Sequence, residues 1–464
     1  MSALSVKYDN FKAGRPERKD FYKQLVALVI PIAIQNILGA LVGSVDVLML
    51  GYVGQDELAA VSLANQYMFI LWGVFFGISS AASLMNSQYW GKGDLRAIQA
   101  IFGIAMKIAV GVTAVVSLGC MIFPRQLMTL YTDNATLIDI GVVYLRAVGM
   151  SYLVMSFGQA YMCTLRSIEK AKKSTVISTI TVFLNVFLNA TFIFGLFGLP
   201  KLGVFGVALA TLISRVIELV ICLADYARGG IDKPDMGLLF GSHKELRSDF
   251  VKYAGPALVN DLAWTLAFST YSIILGHLNS DIVAASSVAT TLRDIFSTVC
   301  FGISSGGTVI LGKELGANEL DKCKRDASTL SWTTFFFTLF MGTLLIIVRH
   351  PLMNLFTLTD RAYEYLDLMM IISSYYIIGQ AMNTLMIAGI FRAGGNTKFG
   401  LWCDVISMWC WAVPLGFFVA YVLKLPPMGI YFVLCLDEFW KMPVVFKYYK
   451  SYKWLNNITR DDVV

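Results

Sequence analysis

The stretch that decides the fold is FYKQLVALVIPIAIQNILGALVGSVDVLML, Phe21 to Leu50. It is long and apolar enough to cross a bilayer, for which about 20 residues suffice, and it carries a single carboxylate, Asp46. A charge at membrane depth is costly and normally faces a bundle interior or a wet cavity, which makes Asp46 a functional candidate by default. Helical spacing gives it company. Three, four and seven residues before Asp46 stand Gly43, Val42 and Gly39, and ten and eleven before it stand Asn36 and Gln35, so that one face is small and polar. The positions between, such as Leu38, Leu41, Val45 and Leu48, suit lipid or packed neighbours.

The rest of the composition agrees with a membrane protein. The chain is 57% hydrophobic and 15% charged over 464 residues, with a mean hydropathy of +0.66, which excludes a soluble domain and fits an all-α polytopic membrane protein. The net charge of +6 comes from Lys and Arg in short clusters between apolar runs, as in cytoplasmic loops, so no nucleic-acid partner is expected. The 8 cysteines show no paired spacing, and His243, His277 and His350 are too scattered for a metal or a triad. Neither metal nor cofactor is expected. The first 20 residues are polar and basic, with Lys7, Lys12, Arg15, Arg18 and Lys19, and the first span is expected to be retained rather than cleaved.

Twelve apolar segments can be read as spans: 22–50, 57–84, 96–123, 137–164, 174–198, 202–226, 248–276, 282–312, 326–349, 364–390, 399–422 and 428–447. With the N-terminus cytoplasmic, the outer loops hold only Arg125, Lys201, Arg349, Arg361 and Lys424 of the 37 basic residues. That asymmetry places both termini inside. Lys107, Arg146, Arg215 and Arg293 count as the basic residues within spans.

The longest polar connection, Arg228 to Lys252, separates two halves that repeat each other. Pro31 aligns with Pro256, Gly51 with Gly276, Asp56 with Asp281, Phe76-Gly77-Ile78-Ser79-Ser80 with Phe301-Gly302-Ile303-Ser304-Ser305, and Gly91 with Gly316, all at one offset. The halves are therefore an internal duplication. Six spans is an even number, so the expected fold is two six-helix lobes related by a pseudo-twofold axis along the membrane normal, with binding between them. The expected domains are an N-lobe at 1–227, a linker at 228–247 and a C-lobe at 248–464. The pattern Gly302-x-Ser304-x-Gly306 resembles a nucleophile elbow, but it lies inside a hydrophobic repeat and reads as a helix-packing tract.

Polar residues inside the spans mark candidate sites. In the fifth span Ser178, Thr181, Asn185 and Asn189 form a stripe expected to face that of the first, and Thr211 lies in the sixth. Amides and hydroxyls beside a carboxylate can ligate a hard cation or tune a proton site, and they can equally act as glue between helices. Arg215 and Glu218 read as a salt bridge. In the second half Asp261 is the preferred second carboxylate, followed by Asp294, Asp404 and Glu438, with Trp264 and Tyr271 as aromatic candidates and Gln35 and Asn36 as polar ones for a substrate or second ion. Tyr271 occupies the repeat position of Asp46, so the lobes differ chemically. Arg293 is a candidate partner for one of the acids.

Taken in order, Pro31 with Asp46-Val47-Leu48-Met49-Leu50-Gly51, Gly91-Lys92-Gly93-Asp94, Asn185 with Gly206-Val207-Ala208-Leu209-Ala210-Thr211, Gly316-Ala317-Asn318, and Phe391-Arg392-Ala393-Gly394-Gly395-Asn396-Thr397 resemble the multidrug and toxic compound extrusion (MATE) family of transporters over nearly the whole chain. The resemblance implies a twelve-helix, two-lobed exporter of lipophilic, often cationic compounds by exchange for protons or sodium. It also implies that Asp46 is central to coupling and that Asn185, Asn189 and Thr211 belong to the first-lobe cation site. The sequence departs from the family pattern at Asn189, where many members carry an Asp, which weighs against sodium there. Expected partners are small organic molecules and the lipid bilayer, for a monomer in a bacterial inner membrane. The rival readings are a lipid-linked saccharide flippase, which would want a strongly basic cavity, and an intramembrane enzyme, which would want a convergent nucleophile-base or metal set.

Overall fold

Away from water an apolar run must satisfy its backbone N–H and C=O groups internally, and a helix does so within one segment. A computed structural model describes residues 15–461 except 355 and 357, and among them the regular structure is helical throughout. Lys7 and Lys12 lie outside the described residues, as do the side chains of 15–17, 40–44, 46–48 and 280. Asp46 is therefore placed only by its backbone, which is helical, and Val42 and Gly43 of its proposed face likewise.

Ten helices are long and apolar enough to span a membrane among the described residues. They answer to the first nine sequence segments and the eleventh. The tenth segment is a helix, Asp360–Thr384, continuing in wider turns to Phe391, and its buried Ser373, Ser374, Gln380 and Asn383 lower its apolarity. The twelfth is broken at Cys435 and Leu436 into Pro427–Leu434 and Asp437–Lys450, and the second piece carries buried charges. Hydropathy alone thus resolves ten spans.

The chain forms two compact units. The N-terminal unit is Ile34–Leu258 with Arg460 and Asp461, and the C-terminal unit is the described part of Met1–Ala33 with Val259–Thr459. In chain order the helices are α1 (Arg15–Gly51), α2 (Gln55–Ala64), α3 (Gln66–Lys92), α4 (Leu95–Ile122), α5 (Pro124–Thr129), α6 (Ala135–Ser167), α7 (Ala171–Phe194), α8 (Gly203–Ala227), α9 (Met236–Phe240) and α10 (Lys244–Gly276). They continue with α11 (Ser280–Gly316), α12 (Leu320–Met353), α13 (Asp360–Thr384), α14 (Thr397–Val405, running on in mixed turns to Val422), α15 (Pro427–Leu434) and α16 (Asp437–Lys450).

The unit boundaries follow the duplication. They fall two residues after Pro31 in α1 and two after Pro256 in α10, at repeat-mated positions. Proline lacks the N–H that would tie it to the preceding turn, so each helix loses an internal bond near the point where its packing partners change. Before that point α1 buries Phe21, Leu25, Leu28 and Val29 in the C-terminal unit. There a Cβ on Gly306 would lie 3.1 Å from Val29 Cγ2. In the N-terminal unit a Cβ on Gly77 would lie 2.8 Å from Leu258 Cβ of α10. The duplicated Phe-Gly-Ile-Ser-Ser tracts are therefore close-approach surfaces for the two lead helices, and the Gly302 to Gly306 pattern is packing.

Glycine is used differently at Gly394. Beyond α16 the chain leaves helical structure and buries Trp454 completely, stacked on Tyr449 at 5.9 Å with its Nε1 donating 3.0 Å to the Tyr449 carbonyl. The Trp454 carbonyl fills the space a Cβ on Gly394 would need. Gly394→Ala is expected to destabilise the protein by about 1–3 kcal/mol, the usual cost of overpacking. The check is thermal unfolding of purified protein in detergent, and an unchanged melting temperature would show that the Trp454 segment does not seat on Gly394.

Candidate functional site

The polar residues of the N-terminal unit gather along α7. Its buried positions Ala171, Ser174, Ile177, Thr181, Asn185 and Asn189 recur every three or four residues, which is one face of a helix. Asn189 Nδ2 donates 3.2 Å to Asn185 Oδ1, and Asn185 Nδ2 reaches Thr211 Oγ1 of α8 at 3.5 Å. The three sequence candidates from the fifth and sixth spans are thus joined in one chain of hydrogen bonds. From α1, Gln35 Nε2 donates 2.9 Å to Ser174 Oγ on the same stripe. Asn36 is exposed. Arg215 and Glu218 form an ion pair at 2.7 Å.

The C-terminal unit answers its acids with cations. Asp261 Oδ1 accepts from Arg392 Nη2 at 2.8 Å, with the guanidinium buried. Asp294 is exposed and 3.3 Å from Arg293, its neighbour in sequence. The Arg293 guanidinium itself is buried, 5.5 Å from the Phe268 ring and 5.2 Å from the Tyr376 ring. Such contacts stabilise a desolvated cation by roughly 2 kcal/mol. Trp264 packs on Phe268 at 4.3 Å.

A cluster of buried charge lies where α13, α14 and α16 meet α10. Lys441 Nζ is 2.7 Å from Asp404 Oδ1 and 3.0 Å from Glu438 Oε2. Asn383 Nδ2 donates to the same Glu438 oxygen at 2.7 Å and to the Glu438 carbonyl at 2.6 Å. Tyr271 donates 3.1 Å to Asp437 Oδ2, and Ser407 donates 2.6 Å to the Asp437 carbonyl. All seven residues are buried. Tyr271, Asp404 and Glu438 were candidates from sequence, whereas Lys441, Asn383 and Asp437 were not. Lys441 falls inside the segment 428–447 but is not among the in-span basic residues named from the sequence. The available signal was its spacing, three residues after Glu438 and four after Asp437.

The MatE family model matches the chain twice, over residues 31–191 and 256–418. The chain belongs to the MATE family. Both MATE matches start at the repeat-mated prolines, Pro31 and Pro256. Among curated relatives it is 26% identical over 450 residues to the uncharacterised transporter YisQ of Bacillus subtilis, covering 95% of this chain and 96% of that one. It is 23% identical to the probable multidrug resistance protein YoeA of the same organism (90% and 91% covered). It is 22% identical to the probable multidrug resistance protein NorM of Thermotoga maritima (97% of both covered). Among solved structures, a MATE protein in a bent conformation superposes with a TM-score of 0.84 at 16% identity, covering 93% of this chain and 95% of that one. A transporter of the MOP superfamily from Pyrococcus furiosus, described as having a binding pocket of reversed polarity, superposes at 0.82 and 16% identity, with 92% and 95% covered. These likenesses establish the fold. MATE membership makes the protein a multi-pass membrane transporter, not an enzyme, and no group of three or more metal-ligating side chains is found among the described residues.

The Asp261–Arg392 contact joins α10 to the Phe391-Arg392-Ala393-Gly394-Gly395 motif. A double-mutant cycle with Asp261→Asn and Arg392→Met is expected to give a coupling of roughly 0.5–3 kcal/mol in unfolding free energy. Additive effects would mean that the two side chains do not share a contact.

Proposed function

We propose that this MATE protein is a secondary antiporter that exports lipophilic, often cationic compounds in exchange for protons. Transport would run by alternating access in a twelve-span bundle, with lobes at 1–227 and 248–464 joined by the 228–247 linker and related by a pseudo-twofold axis along the membrane normal. The setting is a bacterial inner membrane, with both termini cytoplasmic and the protein a monomer. The names of the relatives YoeA and NorM support the substrate class.

The observation that carries the coupling assignment is the Gln35–Ser174 hydrogen bond. Spans one and five cross in the same direction if successive spans alternate, and α1 and α7 are both helical beyond this bond. Asp46 is eleven residues after Gln35 and Asn185 is eleven after Ser174. Eleven residues is close to three full turns, so each lies on its starting face about 16 Å further along. That register supports a position for Asp46 level with the Asn185–Asn189–Thr211 chain.

Protons suit that environment better than sodium. Asn185 and Asn189 can hydrogen-bond either form of a carboxyl but neutralise no charge, while a dehydrated sodium ion would have Asp46 as its one anionic ligand in the set. The driving force is adequate: one pH unit supplies about 1.4 kcal/mol per proton, and each net charge moved inward across 100 mV adds about 2.3 kcal/mol. The flippase alternative needs free positive charge. The buried cations Arg293, Arg392 and Lys441 each stand beside a carboxylate instead, which favours the antiporter. Asp261, Trp264, Tyr271 and Asp294 are the second-lobe candidates for substrate or ion, with Asp404 and Glu438 candidates for substrate alone.

Asp46→Asn is expected to reach the membrane and to lose dye export driven by an imposed pH gradient in sodium-free everted vesicles. Full export by that variant, or wild-type export that needs sodium at every pH, would overturn the assignment.

A further inference from the structure

The Lys441 cluster has the composition of a monovalent-cation site. Two carboxylates from different helices, Asp404 of α14 and Glu438 of α16, converge at 2.7 and 3.0 Å on one buried positive centre. Asn383 of α13 fixes the Glu438 oxygen that takes part, donating to it at 2.7 Å. Asp437, beside Glu438, is a further buried carboxylate outside the cradle, its oxygens engaged by the Tyr271 hydroxyl and by the Glu438 N–H at 2.8 Å. Oxygen donors with fixed orientation and excess negative charge are what a hard cation requires. Here the position is taken by an ammonium on a four-carbon stem rooted in α16.

We infer that Lys441 is a tethered cation: its ammonium occupies, permanently and in every transport state, the place an exchangeable coupling cation would take in the C-terminal unit. Lys441 thereby determines ion specificity, because a cradle already filled from within the chain cannot load sodium or potassium. The inference rests on the antiport reading only for its consequence, that coupling is left to the N-terminal unit. The occupancy itself is a binding question that can be answered without transport.

The physical argument is one of charge. An ion pair buried this deeply is costly to break from one side, since removing a partner leaves an uncompensated charge away from water. Shortening Lys441 to Ala removes the ammonium, leaves Asp404 and Glu438 facing each other, and opens a space lined by their oxygens. A small free cation can then restore the balance that the tether provided. Lys is suited to this role where Arg is not, because its ammonium is a compact point charge and not a planar fork.

The test measures melting of purified full-length protein in detergent at alkaline pH, titrated with sodium, potassium or methylammonium chloride against choline chloride at equal ionic strength. Wild type is expected to respond to none of the small cations beyond the choline control. Lys441→Ala is expected to melt lower in choline and to regain stability saturably with at least one small cation, at a concentration about tenfold below any wild-type response, equivalent to ~1.4 kcal/mol. Lys441→Ala combined with Asp404→Asn is expected to lose that response. Three results would overturn the proposal: saturable stabilisation of wild type by sodium or potassium that Asp404→Asn abolishes; equal responses of the single and double variants; or failure of Lys441→Ala to fold in every cation while the charge-balanced Lys441→Met/Asp404→Asn protein folds. If the Asp46 assignment fails while Lys441→Ala still responds, the tethered cation stands without the coupling scheme.

Discussion

Each charge carried into an apolar layer must be neutralised, paired or exposed to a cavity, and this constraint orders the polar chemistry of the whole chain. In the C-terminal unit the solution is pairing. Asp261 faces Arg392, Asp404 and Glu438 face Lys441, and Arg293 lies over the Phe268 and Tyr376 rings beside Asp294. None of these is a stability device in itself, because desolvating both partners offsets most of their attraction. Their effect is to fix which helices meet and in what register, since a slip of one turn would strand a charge.

The helical framework was legible from the sequence because its signal is collective. A run of twenty apolar residues, a biased distribution of Lys and Arg, and a constant offset between Pro31 and Pro256 each average over many positions, so single errors do not accumulate. The lead helices show what such averages omit. Segment 22–50 reads as one span, yet its residues up to Ala33 pack with Val259–Thr459 and the remainder with Ile34–Leu258. Nothing in hydropathy marks that change of partner. The prolines two residues before each boundary do, and only the duplication reveals that they are the same feature twice.

The sites were legible to the degree that their partners share a helix. Of the stripe Ser178, Thr181, Asn185 and Asn189 that 3.6-residue periodicity gives, the last three are buried and Ser178 is half-buried, and the structure adds Ser174 and the links to Gln35 and Thr211. Asn383, 55 positions before Glu438, and Asp404, 37 before Lys441, are joined by tertiary packing that no local pattern encodes. Lys441 was hidden for another reason. A basic residue near a span end is ordinarily cytoplasmic, and that rule prevails until the carboxylates that hold it are seen.

The two halves of the duplicated sequence meet the same constraint with different residues, and the proposed division of roles rests on that difference. At one repeat position stands Asp46, on a helix whose polar face is registered by Gln35 against amides and hydroxyls that carry no charge. At the other stands Tyr271, whose hydroxyl donates to Asp437, the neighbour of a Glu438 carboxylate held by Asn383 and Lys441. A carboxylate among neutral dipoles can change its charge by taking up a proton, because no fixed cation opposes that change. A carboxylate clamped to an internal ammonium has its counter-charge built in and gains little from a second. On the coupling reading proposed above, Lys441 supplies a built-in counter-charge in one half of the duplicated chain, and the half that carries Asp46 is the one in which charge would vary.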